Sequence, residues 1–256
     1  MGPSRPKSAS EIDAMAASGA LLAGTLDALV AAAAPGVSTA ELDAAARELL
    51  SAAGARPAFL GYRGFPAAIC ASPNDLVVHG IPGRRPLADG DVLSIDLGVE
   101  LDGWITDGAR TVVLGEGDAR DRHLVATGEA ALAEAVAACV PGARVGDVGA
   151  VVQGCAEAAG IGVFPSLIGH GVGRALHEEP QVPNVGPAGL GARLVAGLTI
   201  AVEPMLTRGR PAIRMAGDGW SVFTVDGARA THAEATVAVT DDGPRVLTPW
   251  GDRDRW

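Results

Sequence analysis

Apolar residues at Ile12, Met15, Leu22, Leu26, Leu29 and Val30 recur at helical spacing and predict a long helix. It opens at Ser10 with Glu11 and Asp13 in its first turn, and Pro35-Gly36 stops it. Ser38 and Glu41 form a Ser-x-x-Glu capping box for a second helix running to Gly54. The stretch FLGYRGFPAAICASPNDLVVHGIPG is too punctuated by glycine and proline for long elements, although 67–71 and 76–79 read as short strands. From 92 to 114 the pattern changes to period two: Leu93, Ile95, Leu97 and Val99 alternate, which sends Asp96 to the other face. Asp102-Gly103 is a two-residue hairpin turn, so Leu101 faces Trp104 and Asp107 faces Gly98. A second long helix covers about 118–140 and ends, like the first, at a Pro-Gly pair. Segment 141–160 then repeats the layout of 35–54 at an offset of 106 residues (141 − 35): Pro-Gly, an apolar helical pattern, a closing Ala-Ala-Gly. Strands are predicted near 162–169, 198–205, 212–215, 220–225 and 233–240. Helix pairs beside runs of strands, without a β-α-β rhythm, indicate an α+β fold of two similar halves, with a ligand site expected between them.

Composition narrows the picture. With 256 residues, 48% hydrophobic and only 4% aromatic, the chain builds its core largely from Ala, Val and Leu. A formal net charge of −10 argues against a broad grip on nucleic acid. Cys70, Cys139 and Cys155 are odd in number and lack Cys-x-x-Cys spacing, which suits a reducing compartment and excludes a thiolate zinc site of ordinary spacing. Segment 21–34 is interrupted by Gly24, Thr25 and Asp27 and reads as too short and polar to cross a membrane. A soluble cytoplasmic protein is expected.

The hairpin register carries the candidate chemistry. Asp96 and Asp107 become diagonal neighbours on one face, roughly 7–8 Å apart at the backbone. Two carboxylates that close repel, and a pair of cations between them removes the conflict. The competing reading is a solvated sheet face with two unrelated Asp. The second half offers His170 between glycines in IGHGVG, His177 in HEEP, Glu203 before Pro204, and Glu234 on the face opposite Val237 and Val239. Such a mixed oxygen and nitrogen set suits manganese, iron, cobalt, zinc or nickel, not calcium or a structural zinc. Glu178 and Glu179 read as a solvated or hydrogen-bonded turn, and His123 as a surface residue of its helix.

In order along the chain, LGYRGFPAAICAS, VVHGIP, DGDVLSIDLGVELDGWITDGART, GHGVGRALHEEPQVPN, AVEPM, DGWSVFTVDG and AEATVAVT closely resemble the type I methionine aminopeptidases. The resemblance implies the pita-bread fold: a lead-in at 1–9 and one catalytic domain over 10–256, with helices packed on a curved, mainly antiparallel sheet. It implies two divalent ions: Asp96 on one, Asp107 and Glu234 bridging, and His170 and Glu203 completing the other. His79 and His177 are then expected to touch the substrate near the scissile bond, with Glu203 as the proton carrier. Tyr62, Phe65, Cys70 and Trp220 are expected to shape a methionine pocket. The implied reaction removes the N-terminal methionine from peptides and nascent proteins whose second residue is small, as in the chain's own Met1-Gly2. A monomer with no membrane or nucleic-acid partner is expected, and a ribosome contact is left open. The rival readings are another pita-bread aminopeptidase and an inactive peptide-binding relative. The chain departs from the family pattern at Ala235, usually His, at Leu167, usually aromatic, and at Thr231-His232-Ala233, where a Gln-aromatic approach is usual. By strand alternation His232 shares a face with Glu234, and it is expected to support a metal ligand rather than to be one.

Overall fold

The computed structural model describes residues 4–249, so Met1-Gly2 lies outside the described residues. Helix α1 spans Ala9–Ala32 and begins earlier than Ser10, because Ser8 is the capping residue: its Oγ accepts the Glu11 N–H and the Glu11 carboxylate accepts the Ser8 N–H. At 24 residues α1 is long and apolar enough to cross a membrane by length and composition alone. Its apolar face is nonetheless used inside the protein: Met15, Leu22, Leu26 and Leu29 are fully buried. Helix α2 covers Thr39–Ala52, capped by Ser38 and Glu41 as the sequence predicts. Helix α3 covers Ala119–Ala137 behind Asp118, and α4 covers Val145–Ala158.

The predicted repeat is present in detail. Helices α2 and α4 start and end at the same 106-residue offset (145 − 39, 158 − 52). Their preceding glycines, Gly36 and Gly142, share φ of 95° and 94°, and their closing glycines, Gly54 and Gly160, share 70° and 69°. These left-handed turns favour glycine because at positive φ a Cβ crowds the residue's own flanking peptide groups. Each Pro-Gly turn is held by two backbone hydrogen bonds to one leucine, Leu87 in the first half and Leu194 in the second.

In the first half, strands Val92–Leu101 and Trp104–Val113 form the predicted hairpin, with Leu101 opposite Trp104 and Gly98 opposite Asp107. Asp102 and Gly103 both have positive φ, 51° and 74°, as this tight turn requires. Strands Arg56–Pro57 and Cys70–Pro73 pair antiparallel with the other edge of Val92–Leu101. Leu93, Ile95, Leu97 and Val99 are fully buried in a core shared with α1 and α2. The opposite face is not a solvated surface: Ser94 and Asp96 are buried as well.

In the second half, strands Gly243–Val246, Ala235–Thr240, Thr199–Val202, Ile168–Gly171 and Glu178–Pro183 form a five-stranded antiparallel sheet in that order. It packs on α3 and α4 around a core of Leu124, Leu132, Val148, Val152, Ile200 and Val237. Two three-stranded sheets complete the fold. One joins Ala230–His232, Met205–Thr207 and Gly162–Val163. The other joins Ile213–Met215, Val222–Thr224 and Leu76–Val78, and so crosses between halves. A further junction is made where the Asp107 N–H donates to Thr236 Oγ1, which donates in turn to the Asp107 carbonyl, while Ala109 and Glu234 exchange both backbone hydrogen bonds.

Several strand boundaries differ from those expected. The strand read at 67–71 is Cys70–Pro73, and 162–169 divides into Gly162–Val163 and Ile168–Gly171. The 198–205 run breaks at Glu203-Pro204, since proline offers no N–H to continue a ladder. The 233–240 strand starts at Ala235, leaving Ala233 and Glu234 in a break after Ala230–His232. Glu178–Pro183 was hidden by its two prolines, which read as a turn.

Candidate metal centre

Five side chains named from the sequence arrive at one place between the halves. Asp96 stands opposite Ala109 in the hairpin, which puts Asp107 on its diagonal, and both are buried. Glu203 lies just past the end of Thr199–Val202, and Asn184 Nδ2 holds its carbonyl at 2.9 Å. Glu234 is held by its backbone exchange with Ala109, next to Asp107. His170 sits in Ile168–Gly171 with Nδ1 2.9 Å from the Gly171 carbonyl, which leaves Nε2 free to face the carboxylates. That nitrogen is 3.8 Å from Asp107 Oδ2 and 3.6 Å from Glu203 Oε1. The flanking glycines are required by close approach: a Cβ on Gly169 would lie 2.3 Å from the Ala201 oxygen, and one on Gly171 2.1 Å from the Glu179 oxygen. Two groups bring ligand atoms within 4.8 Å of one another, Asp107 with His170 and Glu234, and Asp96 with His232 and Glu234. Glu203 belongs to neither group but faces both imidazoles, with Oε2 3.7 Å from His232 Nε2.

The electrostatics of this cluster are those of too many negative charges in too little water. Burial, then the neighbouring Asp107, pushes Asp96 well above the usual carboxylate range, and burial raises Asp107 itself to about 7. Glu203 and Glu234 are raised by burial first and by Asp107 next. Burial lowers His170 and drives His177 and His232 down to about 3, so all three imidazoles are neutral at physiological pH. Neutral imidazoles and carboxylates are the donor forms that bind metal. Two buried polar atoms at the centre, Asp96 Oδ1 and His232 Nε2, have no hydrogen-bond partner among the described residues. An orphaned acceptor and an orphaned nitrogen beside four carboxylates fit divalent cations of the manganese-to-zinc row.

The cluster forms the floor of a cavity of about 310 Å³. Every site residue expected from the sequence borders it: Asp96, Asp107, His170, Glu203, Glu234, His79, His177, Tyr62, Phe65, Cys70 and Trp220. Phe65 meets Trp220 edge to face at 5.1 Å, and Trp220 meets His79 edge to face at 6.3 Å. His79 holds a left-handed backbone, φ 58°, just past Leu76–Val78. His177 stacks near His170 with ring centroids 4.2 Å apart, and its Nδ1 is 2.9 Å from Tyr62 Oη. Burial, then Asp96, pushes the Cys70 thiol up, so it lines the cavity uncharged. Phe59, Ile168, Leu176 and Met205 also line the cavity and were not singled out from sequence. Met205 stood inside the AVEPM motif, but no periodicity marked the other three.

The loop bearing His177 is tied down by Glu178, where the hydrogen-bonded alternative of the sequence reading holds and the solvated one does not. Glu178 is buried rather than solvated: it pairs with buried Lys7 Nζ at 2.8 Å and accepts the N–H groups of Arg174 and Ala175. The Arg174 guanidinium lies 3.6 Å over the Trp104 ring and donates to the Gly103 carbonyl, fastening the same loop to the hairpin tip. His123 is exposed on α3, as expected. Of the departures from the family pattern, Ala235 is buried in the second-half core, and Leu167 borders the cavity.

The profile of metallopeptidase family M24 matches residues 13–241. The chain belongs to that family. This M24 peptidase is 47% identical over 249 residues to methionine aminopeptidase 1 of Mycobacterium tuberculosis, covering 94% of both chains. It is 39% identical to methionine aminopeptidase 1 of Bacillus subtilis, over 94% of this chain and 98% of that one. The crystal structure of methionine aminopeptidase from Thermotoga maritima superposes with a TM-score of 0.94 at 38% identity, covering 95% of this chain and 98% of that one. The fold of this M24 chain is accordingly the α+β pita-bread fold of those enzymes.

Proposed function

We propose that this chain is a methionyl aminopeptidase that removes the N-terminal methionine from peptides and nascent proteins with a small second residue, using two divalent ions. The observation that carries this reading is the convergence of Asp96, Asp107, His170, Glu203 and Glu234 on the floor of one apolar cavity. Asp96, Asp107 and Glu234 would hold one ion, and Asp107, Glu234, His170 and Glu203 the other. Ions held there supply Lewis acidity, which polarises a carbonyl and makes water acidic enough to attack near neutral pH.

The protein's own groups do the rest. Burial raises the proton affinity of Glu203, which suits it to take a proton from the attacking water and return it to the leaving amine. Tyr62 Oη donating to His177 Nδ1 leaves the His177 Nε2–H to donate to the substrate carbonyl as negative charge develops there. His79, edge to face with Trp220, meets the peptide on its leaving side. Phe59, Phe65, Trp220, Cys70 and Met205 offer aromatic and sulfur surface, which accommodates an unbranched thioether. Three free cysteines support action in the cytoplasm.

The inactive-relative reading is disfavoured because none of the five ligand positions is substituted. Release of methionine from Met-Gly and Met-Lys peptides, with and without added cobalt, manganese or iron, tests the proposal. Cleavage of Met-Gly alone is expected, and Asp107→Asn is expected to abolish it. Equal cleavage of both peptides would defeat the specificity, and undiminished activity in Asp107→Asn would defeat the metal assignment.

A further inference from the structure

His232 is buried, at 3% exposure, and points its Nε2 into the acidic cluster. That atom lies 3.5 Å from Glu234 Oε2 and 3.7 Å from Glu203 Oε2, yet it has no hydrogen-bond partner among the described residues. A residue that merely braced a ligand would hold it by a hydrogen bond of about 2.7–3.2 Å, and these contacts are longer. Two donors that share one ion, each about 2.1 Å from it, stand roughly 3–3.4 Å apart at octahedral to tetrahedral angles. The His232 spacings sit near that range, as do those of His170, at 3.6 and 3.8 Å from its own carboxylates. The two imidazoles therefore stand in equivalent relation to the cluster, one facing Asp107 and Glu203, the other Glu203 and Glu234.

The backbone fixes this placement. The His232 N–H donates to Thr111 Oγ1, which donates back to the His232 carbonyl, so strand Trp104–Val113 grips the residue from the first half. Met205 pairs with it from the other side. Asp96, its partner in the second group, keeps Oδ1 without a hydrogen-bond partner.

Resting on the dinuclear reading above, we propose that His232 Nε2 is a direct ligand of the ion held by Asp96. Each ion would then have one imidazole: His170 beside Asp107, Glu203 and Glu234 on one, His232 beside Asp96, Asp107 and Glu234 on the other. A nitrogen donor in an otherwise all-oxygen set shifts that position away from manganese and toward cobalt, nickel and zinc.

The test uses the metal itself as the probe. Chelator-stripped protein is titrated with cobalt(II) and, separately, manganese(II) by calorimetry, and the cobalt-loaded protein is examined by proton NMR for hyperfine-shifted imidazole N–H signals. The comparison variant is His232→Gln, which keeps a polar side chain at this position and removes the imidazole. Two shifted imidazole signals are expected in the unaltered protein and one in His232→Gln. One of the two cobalt steps should weaken by about 10-fold or more, as loss of a ligand or its support generally does, with a smaller change for manganese. His232→Ala, with its metal-free unfolding temperature measured alongside, checks that the glutamine does not ligate in turn. Two bound cobalt ions with a single shifted imidazole, or unchanged cobalt affinity in both variants, would overturn the proposal and leave the dinuclear site standing. Failure to bind cobalt at all, with no shifted signal from His170, would remove the dinuclear reading itself.

Discussion

Single positions in this protein are decided by what approaches them from far along the chain. Gly169 illustrates the point: its missing Cβ is what lets the Ala201 carbonyl sit where a methyl would lie only 2.3 Å away. Because the obstructing atom is backbone, it cannot swing aside. Gly169→Ala is expected to destabilise the fold by about 1–3 kcal/mol through overpacking and to displace His170. Thermal unfolding together with cobalt affinity checks both. Glu178 teaches the complementary lesson. Nothing local marks it as buried, and its ion-pair partner Lys7 is 171 positions away. A buried carboxylate is stable only when paired and hydrogen-bonded, and both conditions are met here by distant groups.

At the scale of the element, caps and stops were the strongest signals. The boxes at Ser8 and Ser38 satisfy backbone N–H groups that the first helical turn leaves unpaired. Replacing Ser38 by alanine is expected to cost about 1 kcal/mol, or roughly 2–4 °C in Tm for a chain of this size, without altering activity, because α2 contributes no residue to the cavity. Scanning calorimetry beside a peptide assay reads both quantities. Strands were less legible where proline falls inside or beside them. The break at Glu203-Pro204 and the start of a strand at Ala235 leave both glutamates outside regular ladders, in segments whose side chains are not bound to strict alternation.

The whole molecule concentrates charge at the seam between its halves, and that sets its response to pH. Folded Asp107 titrates at about 7 against an ordinary 3.8, so the native state holds its proton more tightly and the associated stability is lost as pH rises through 7. Asp96, Glu203 and Glu234 are shifted in the same direction. The histidines act oppositely: half-buried His177 and buried His232 fall to about 3 from 6.5, so folding gains as pH climbs through that interval and not beyond it. Above about pH 6.5 only the carboxylates contribute. The metal-free protein is therefore expected to lose stability between about pH 6.5 and 8, and saturating cobalt or manganese should abolish or reverse the trend. Thermal unfolding of chelator-treated protein across that range is the check; a metal-free Tm that rises throughout it would contradict the electrostatic account of the site.

By itself the sequence determined the helices, the hairpin register and the duplication, since these depend on residues close in the chain: periodicity, caps, turn glycines and a repeated Pro-Gly segment. It also supplied the identity of the candidate ligands, because their motifs are local. Tertiary structure alone decided that both faces of the hairpin are buried, that Glu178 answers Lys7, that Phe59, Ile168 and Leu176 join the cavity wall, and that His232 meets the carboxylates without a hydrogen bond. Those facts arise where separate elements pack together, in the case of Lys7 and Glu178 across 171 positions, and no local pattern encodes the distance at which such residues come to rest.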